Sequence, residues 1–186
     1  MPETFPEDVD ATYATFSGMV GPDASQRFFH AFGMMLNASA KRVHLLIHSA
    51  GGNVSDGIAI YNFLTNMPIE IITYNVGAVE SIAVLVYLTG KVRKASRNAS
   101  FLIHKTRFGF VEPATAEMLR RRADGAELSD KNTDLILREH IVMPDHKWAE
   151  RDRADLILSA EEAKEFTLVH EIADFVPPPG CKLFSI

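Results

Sequence analysis

The stretch VHLLIHSAGGNVSDGIAIYNFL, residues 43–64, decides the fold class of this chain. It opens with a short, nearly continuous apolar run at residues 43–47, which is typical of a strand that is covered on both faces. Gly51 and Gly52 follow, and glycine allows a tight turn or a close approach of the backbone to a ligand. Apolar residues at helical spacing then continue to Leu64. This order of strand, glycine turn and amphipathic helix predicts the first part of a β-α-β unit.

The same alternation continues on both sides of this stretch. Alternating strands and helices predict an α/β fold with a mainly parallel sheet and helices packed on it. Ligands of such sheets bind beyond the carboxyl ends of the strands. The predicted strands cover residues 12–16, 69–74 and 101–103, and the predicted helices begin at a capping Ser25 and, after a turn at Gly77, at residue 82.

Composition limits the classes of protein that this chain can belong to. With 186 residues and 47% hydrophobic content, residues 1–186 are expected to form one domain. A formal net charge of -5 argues against a nucleic-acid partner, and the single Cys181 cannot form an internal disulfide. Residues 1–10 lack the features of a secretory signal, and no run of about 20 apolar residues suggests a membrane span. A soluble, cytoplasmic protein is expected.

Ser81 is the first candidate for chemistry, because it follows a predicted strand and opens an apolar helical run. Free backbone amides at such a position favour a developing negative charge, although a serine there is most often only a cap. His104 ends the predicted strand at 101–103, near the same sheet edge, and a histidine can accept the serine proton. Asp155 or Asp152 could orient that histidine, and each acid alone is more often a solvated surface charge.

Other kinds of site have no support in the sequence. The turn at Gly77 lacks the spacing of a dinucleotide fingerprint, and no phosphate-binding loop is present. No cluster of histidine and cysteine has the spacing of a zinc site. We therefore predict no cofactor and no metal. The charged segment at about 107–140 is too polar for a core, so it is expected to be a solvated hairpin or helix, or a projection that meets another subunit.

Five short motifs occur in an order that resembles the Clp protease proteolytic subunit, a family whose fold is related to that of the crotonases. The similarity extends from about Ala14 to Ile172. The motifs are IHSAGG (47–52), GIAIY (57–61), GAVES (77–81), IH (103–104) and DLILSA (155–160). The family has Ile-Asn-Ser-Pro-Gly-Gly in place of the first and Gly-Gln-Ala-Ala-Ser, ending in its catalytic serine, in place of the third.

This resemblance implies a serine endopeptidase with a triad of Ser81, His104 and Asp155. It also implies that the backbone amides of Gly52 and Ile82 form the oxyanion hole. The segment at 107–140 would then be the handle through which rings of subunits interlock. The resemblance further implies a homo-oligomeric chamber, such as stacked seven-membered rings, that cleaves peptides or unfolded proteins supplied by a Clp-type ATPase.

Several residues depart from the family pattern. Ala50 replaces a proline, and Glu80 precedes the serine where the family has a small residue. Lys105 follows His104, and a pairing of Lys105 with Glu80 is one hypothesis. Only about ten residues precede the first strand, where the family has a longer segment that helps to dock the ATPase, so this docking is expected to differ.

Two other functions fit the same architecture. The first is an assembly subunit without catalysis, although inactive partners have typically lost a triad member and all three positions are filled here. The second is a crotonase-like acyl-CoA enzyme, which would use glutamates such as Glu80 as acid and base. The complete set of serine, histidine and aspartate favours the peptidase.

Overall fold

The computed structural model describes residues 11–109 and 113–186, and these form a mixed α/β fold. The predictions for residues 1–10, and for residues 110–112 of the handle, lie outside the described residues. The strands are β1 (Ala11–Ser17), β2 (Arg42–Ser49), β3 (Glu70–Glu80), β4 (Val92–Ala95), β5 (Ser100–Ile103), β6 (Leu156–Ser159), β7 (Glu171–Ile172) and β8 (Leu183–Ser185). The helices are α1 (Pro22–Asn37), α2 (Val54–Thr65), α3 (Ala83–Leu88), α4 (Ala116–His140), α5 (Asp145–Arg153) and α6 (Ala160–Glu165).

The strands form one sheet with the order β6-β5-β3-β2-β1-β8, and β4 and β7 extend from β3 on a side branch. The pairings of the described strands are parallel except that of β5 with β6, which is antiparallel. The predicted fold, a mainly parallel sheet built from β-α-β units, is confirmed. Because β1, β2, β3 and β5 are parallel, their carboxyl ends meet at one edge of the sheet.

Strand β3 is longer than the sequence predicted, because it continues through Gly77 to Glu80 instead of turning there. Its register with β2 shifts between Ile47 and Ser49, so β3 contains extra residues at this point. At this point, side chains accept the hydrogen bonds that β3 does not form with the backbone of β2. The amide of Gly77 donates to Asn75 Oδ1 at 3.0 Å, and the amide of Ala78 donates to His48 Nδ1 at 3.2 Å.

The start of the first helix differs from the sequence-based prediction. Helix α1 begins at Pro22 with Gly21 as its N-cap, so the prediction that Ser25 caps it is wrong. Proline suits a first helical position because its missing amide would have no partner there. Ser25 lies one turn inside the helix, and its hydroxyl donates to Asp56 Oδ1 of α2 at 2.9 Å. This bond ties the two helices together.

Helix α4 is the long charged helix that the sequence predicted, with only Thr133 and Leu137 buried among its described side chains. Its last residue, His140, lies 2.9 Å from the hydroxyl of Tyr61 in α2. Burial lowers the pKa of His140. In the described part of the chain, α4 and the other helices are too short or too polar to cross a membrane.

Candidate active site

Ser81 lies directly after β3 and two residues before α3, and its backbone is strained. Its φ of 55° is in the left-handed region, which costs a residue with a side chain about 1 to 3 kcal/mol. The Ser81 amide donates to Leu102 O at 2.7 Å, and all six residues of α3 are buried. The sheet and the buried helix therefore hold Ser81 in this conformation. Strain of this kind is typical of functional sites.

The glycine turn after β2 lies against this serine. Gly51 has a φ of 90°, and a Cβ atom there would be 2.6 Å from Ser81 Cβ and 2.8 Å from Glu80 O. The same atom would be 3.2 Å from Ser81 Oγ. Two motifs that are about 30 residues apart in the sequence are thus in direct contact, and only glycine fits between them.

Two backbone amides next to Ser81 have no acceptor in the part of the chain that the structure describes. Within residues 11–109 and 113–186, neither the amide of Gly52 nor that of Ile82 donates a backbone hydrogen bond. Gly52 is held by its neighbours instead, since Val20 N donates to Gly51 O and Asn53 N donates to Val20 O, both at 2.8 Å. Free amides beside a serine hydroxyl are the donors that stabilise an oxyanion.

Most of the predicted site residues line one cavity of about 90 Å³. Ser81, His104, Gly52 and Ile82 all line it. The charged side chains in its wall are basic, namely Lys105, Arg107 and Arg151, and two threonines, Thr106 and Thr133, are also present. This cavity is at the sheet edge where the parallel strands were expected to place a ligand.

His104 follows β5 and has the tautomer that a general base requires. Its Nδ1 is 2.6 Å from Lys105 O. A carbonyl oxygen only accepts, so we assign the proton to Nδ1, which leaves Nε2 free to take a proton from a substrate or nucleophile. In the described residues, no hydrogen bond joins His104 to Ser81 Oγ. Such contacts are often longer in a free enzyme than in its complex.

The two acids proposed to orient His104 have other partners. Asp155 forms an ion pair with Arg107, and Asp152 lies 3.2 Å from Arg151 and 3.5 Å from Lys105. Neither acid has a hydrogen bond or ion pair with His104 within the described residues. The structure therefore brings the serine, the histidine and both amides to one cavity, and it places Asp155 with a cation at that cavity.

The sequence did not reveal the network of charges behind His104. Lys105 pairs with Asp134 at 3.1 Å, and none of its ion pairs among the described residues involves Glu80, so that hypothesis is wrong. Thr106 N donates to Asp130 Oδ1 at 2.7 Å. Arg151 is 1% exposed, and its Nη1 is 2.5 Å from Asp134 Oδ1, an ion pair that lacks hydrogen-bond geometry. The sequence has a run of charged residues at 150–155, but such residues are more often solvated surface charges.

Metal ligands are not assembled anywhere in the described part of the chain. Among residues 11–109 and 113–186, no group of three or more histidine, cysteine, aspartate or glutamate side chains could hold a metal ion. The residues at the cavity are a hydroxyl, an imidazole and hydrogen-bond donors. This set of groups suits acyl transfer through a covalent intermediate.

Comparisons with known proteins show the family and the fold of this chain. The model of the family described as Clp protease matches residues 16–175. Among solved structures, the chain is similar to a point mutant of ClpP1 from Listeria monocytogenes, with a TM-score of 0.75 and 19% sequence identity. The match covers 88% of this chain and 91% of the other. At this level of identity, the structural match establishes a shared fold.

Proposed function

Because this chain belongs to the Clp protease family, we propose that it is a serine endopeptidase that cleaves peptides or unfolded proteins. Ser81 is the nucleophile, His104 the general base and Asp155 the residue that orients the histidine. One observation carries the proposal most directly. Ser81 has a strained backbone and shares one cavity with His104 and with two amides that lack acceptors among the described residues.

The proposed reaction is acyl transfer in two steps. Ser81 Oγ bonds to the substrate carbonyl carbon while His104 Nε2 takes its proton, and the amides of Gly52 and Ile82 donate to the carbonyl oxygen as it becomes negative. His104 then gives the proton to the leaving amine as the carbon–nitrogen bond breaks. A water molecule, activated by the same nitrogen, hydrolyses the acyl ester and restores the hydroxyl.

We propose that the Asp155 carboxylate leaves Arg107 and then accepts the hydrogen bond of His104 Nδ1. His104 Nδ1 donates to Lys105 O, and this bond fixes the same tautomer that a triad carboxylate would fix. A carboxylate would add charge stabilisation of the imidazolium, which a carbonyl provides only weakly. The ion pair between Asp155 and Arg107 therefore competes with the catalytic arrangement.

Replacing Arg107 by glutamine is expected to raise the rate of hydrolysis of an uncharged peptide by up to about fivefold. The Arg107 side chain is 63% exposed, and an exposed ion pair is worth up to about 1 kcal/mol, which corresponds to that factor. For the same reason, the free energy of unfolding should change by no more than about 1 kcal/mol. Steady-state hydrolysis and urea denaturation measure the two effects.

Arg121→Gln is the matched control, because Arg121 is exposed and pairs with Glu117 on the handle helix at 3.2 Å. It should leave the rate unchanged. An Arg107→Gln variant with the parent's rate would mean that Asp155 does not compete for His104, and the Lys105 carbonyl would then be the orienting group.

The proposed assembly is a homo-oligomeric chamber in which the handle meets another subunit. Two features of α4 support it: the helix is 25 residues long, and among its described residues it leaves Met118, Leu119, Leu128 and Leu135 substantially exposed. A Clp-type ATPase that delivers substrate belongs to the same proposal. A cytoplasmic location is proposed with it.

A non-catalytic assembly subunit is the second candidate, and one observation favours it. Within the described residues, His104 and Ser81 share no hydrogen bond and Asp155 pairs with Arg107, so the triad contacts are not formed. The presence of the tautomer-fixing bond and of the strained serine favours the active enzyme instead.

Covalent labelling separates these two candidates. Incubation of the folded protein with a small alkyl fluorophosphonate should add one label per chain, and peptide mass spectrometry should locate it on Ser81. Only a serine that is deprotonated by a neighbouring base and faces oxyanion donors reacts in this way. Folded protein that takes up no label, or takes it up at another serine, would favour the non-catalytic subunit.

A further inference from the structure

The wall of the cavity at Ser81 has an apolar part and a part that is rich in hydrogen-bond donors. Lys105, Arg107 and Arg151 form the second part together with Thr106 and Thr133, and among the described residues that line the cavity none is acidic. The apolar part consists of Val54, Ile82, Leu85, Ile103 and Leu137. Lysine and arginine side chains donate and cannot accept. A substrate group that enters this cavity therefore meets an excess of donors, and an acceptor is the group that satisfies them.

Arg151 is the strongest of these donors, because it is almost completely buried. Its side chain is 1% exposed, yet within the described residues its Nε has no hydrogen-bond partner. A buried donor without a partner is costly, and the guanidinium group that carries this donor belongs to a residue of the cavity wall. The contact of Nη1 with Asp134 holds the side chain in place and leaves Nε unsatisfied.

We infer that this cavity is a substrate pocket that selects an aspartate or glutamate side chain in the residue whose carbonyl Ser81 attacks. The inference rests on the proposed function. The carbonyl group of that residue lies between Ser81 Oγ and the amides of Gly52 and Ile82, which line the cavity. Of all substrate side chains, the side chain of this residue therefore begins nearest to the cavity. The specificity determinants are Arg151 and Lys105.

The carboxylates that pair with these cations lie outside the wall of the cavity as the structure describes it. Asp130, Asp134, Asp152 and Asp155 contact the cations, and none of the four lines the cavity. A substrate carboxylate would therefore approach donors first. Hydrogen bonds to charged groups are stronger than neutral ones and correspond to a preference of at least about tenfold over an apolar side chain.

The test compares peptide diphenyl phosphonates that differ only in the residue on the acyl side: glutamate, glutamine, leucine or lysine. These reagents modify an active serine and need no turnover. Intact-mass spectrometry gives the rate at which each one modifies Ser81. Glutamate should react at least about tenfold faster than leucine, and faster than glutamine. Equal or faster reaction of leucine, glutamine or lysine would overturn the inference.

A small alkyl fluorophosphonate, which carries no peptide side chain, separates this inference from the proposed function. If it labels Ser81 and the glutamate reagent shows no advantage, the inference fails and the peptidase remains. If neither kind of reagent labels Ser81, the proposed function fails and the inference fails with it.

Variants of the cavity wall test the determinants. The double variant Arg151→Met with Asp134→Leu removes the buried guanidinium together with the carboxylate nearest to it, so that Asp134 does not remain without this partner. Lys105→Gln is the second variant and alters a side chain that is 33% exposed. In each, the ratio of glutamate to leucine reactivity should fall to below about threefold, and a general loss of reactivity cancels in this ratio. An unchanged ratio in both variants would overturn the assignment.

Lys131→Gln is the matched control for these variants. Lys131 is exposed on α4 and does not line the cavity at Ser81. Its removal changes the net charge of the chain as Lys105→Gln does, so it should leave the ratio at the parent value. If the ratio fell in the Lys131→Gln variant, the preference would result from the overall charge of the chain and not from the cavity.

Discussion

Replacing Ser81 by alanine is expected to lower the rate of peptide hydrolysis by at least about 10³-fold, because the bond to the substrate carbonyl can no longer form. The fold should be retained. Alanine at a φ of 55° has a backbone strain similar to that of serine, so the free energy of unfolding should stay within about 1 kcal/mol of the parent value. Peptide hydrolysis and urea denaturation measure the two quantities.

Ser39→Ala provides the matched control for this change. Ser39 has a φ of 60°, nearly the value of Ser81, and it is exposed at the end of α1, away from the cavity. The variant should have full activity and a similar small change in stability. If Ser81→Ala hydrolysed peptides at the parent rate, Ser81 would not be the nucleophile.

Replacing Gly51 by alanine should lower peptidase activity by at least about 10²-fold through a clash at the active site. The new Cβ atom would be 2.6 Å from Ser81 Cβ and 2.8 Å from Glu80 O, distances at which one of the two segments must move. Because the displaced residue is the nucleophile, the hydroxyl would lose its position relative to His104. The stability should also fall by about 1 to 3 kcal/mol, since Gly51 has a φ of 90°.

Gly18→Ala separates the clash from the strain. Gly18 also has a positive φ, of 140°, but a Cβ atom there would have no neighbour within 4 Å. This variant should lose stability and retain activity. If Gly51→Ala also retained activity, the contact between the glycine turn and Ser81 would have no part in catalysis.

Much of the fold could be predicted from the sequence, because its local signals are strong. Apolar runs such as residues 43–47 and the serine-to-glutamate spacing of Ser159 and Glu162 report structure within a few neighbouring residues. This spacing predicts a capping box at the start of a short helix, and the structure has it at α6, with Ser159 N donating to Glu162 Oε2 at 2.9 Å. Strand β4, by contrast, was not predicted.

Parts of the site could also be predicted, and the reason is topological. Parallel strands bring their carboxyl ends together, so Ser81 after β3 and His104 after β5 had to share an edge. The amides of Gly52 and Ile82 were predicted from the family resemblance. Their lack of acceptors within the described residues is the structural observation that supports this role.

The remaining features depend on tertiary contacts that no local pattern reports. Strand β3 continues past Gly77 because Asn75 and His48 satisfy its backbone amides. Asp155 pairs with Arg107, a residue 48 positions away. Arg151 belongs to a helix of charged residues, and only the packing of that helix shows that this arginine is buried.

The central claim is that Ser81, His104 and Asp155 act together beside the amides of Gly52 and Ile82. The most direct measurement is a crystal structure of the protein with Ser81 modified by a peptide phosphonate. We expect the phosphonyl oxygen to lie about 2.7 to 3.1 Å from both amides, and the Asp155 carboxylate to have left Arg107 for His104 Nδ1. A modified serine whose phosphonyl oxygen faces away from both amides, with His104 beyond reach of Ser81 Oγ, would contradict the claim.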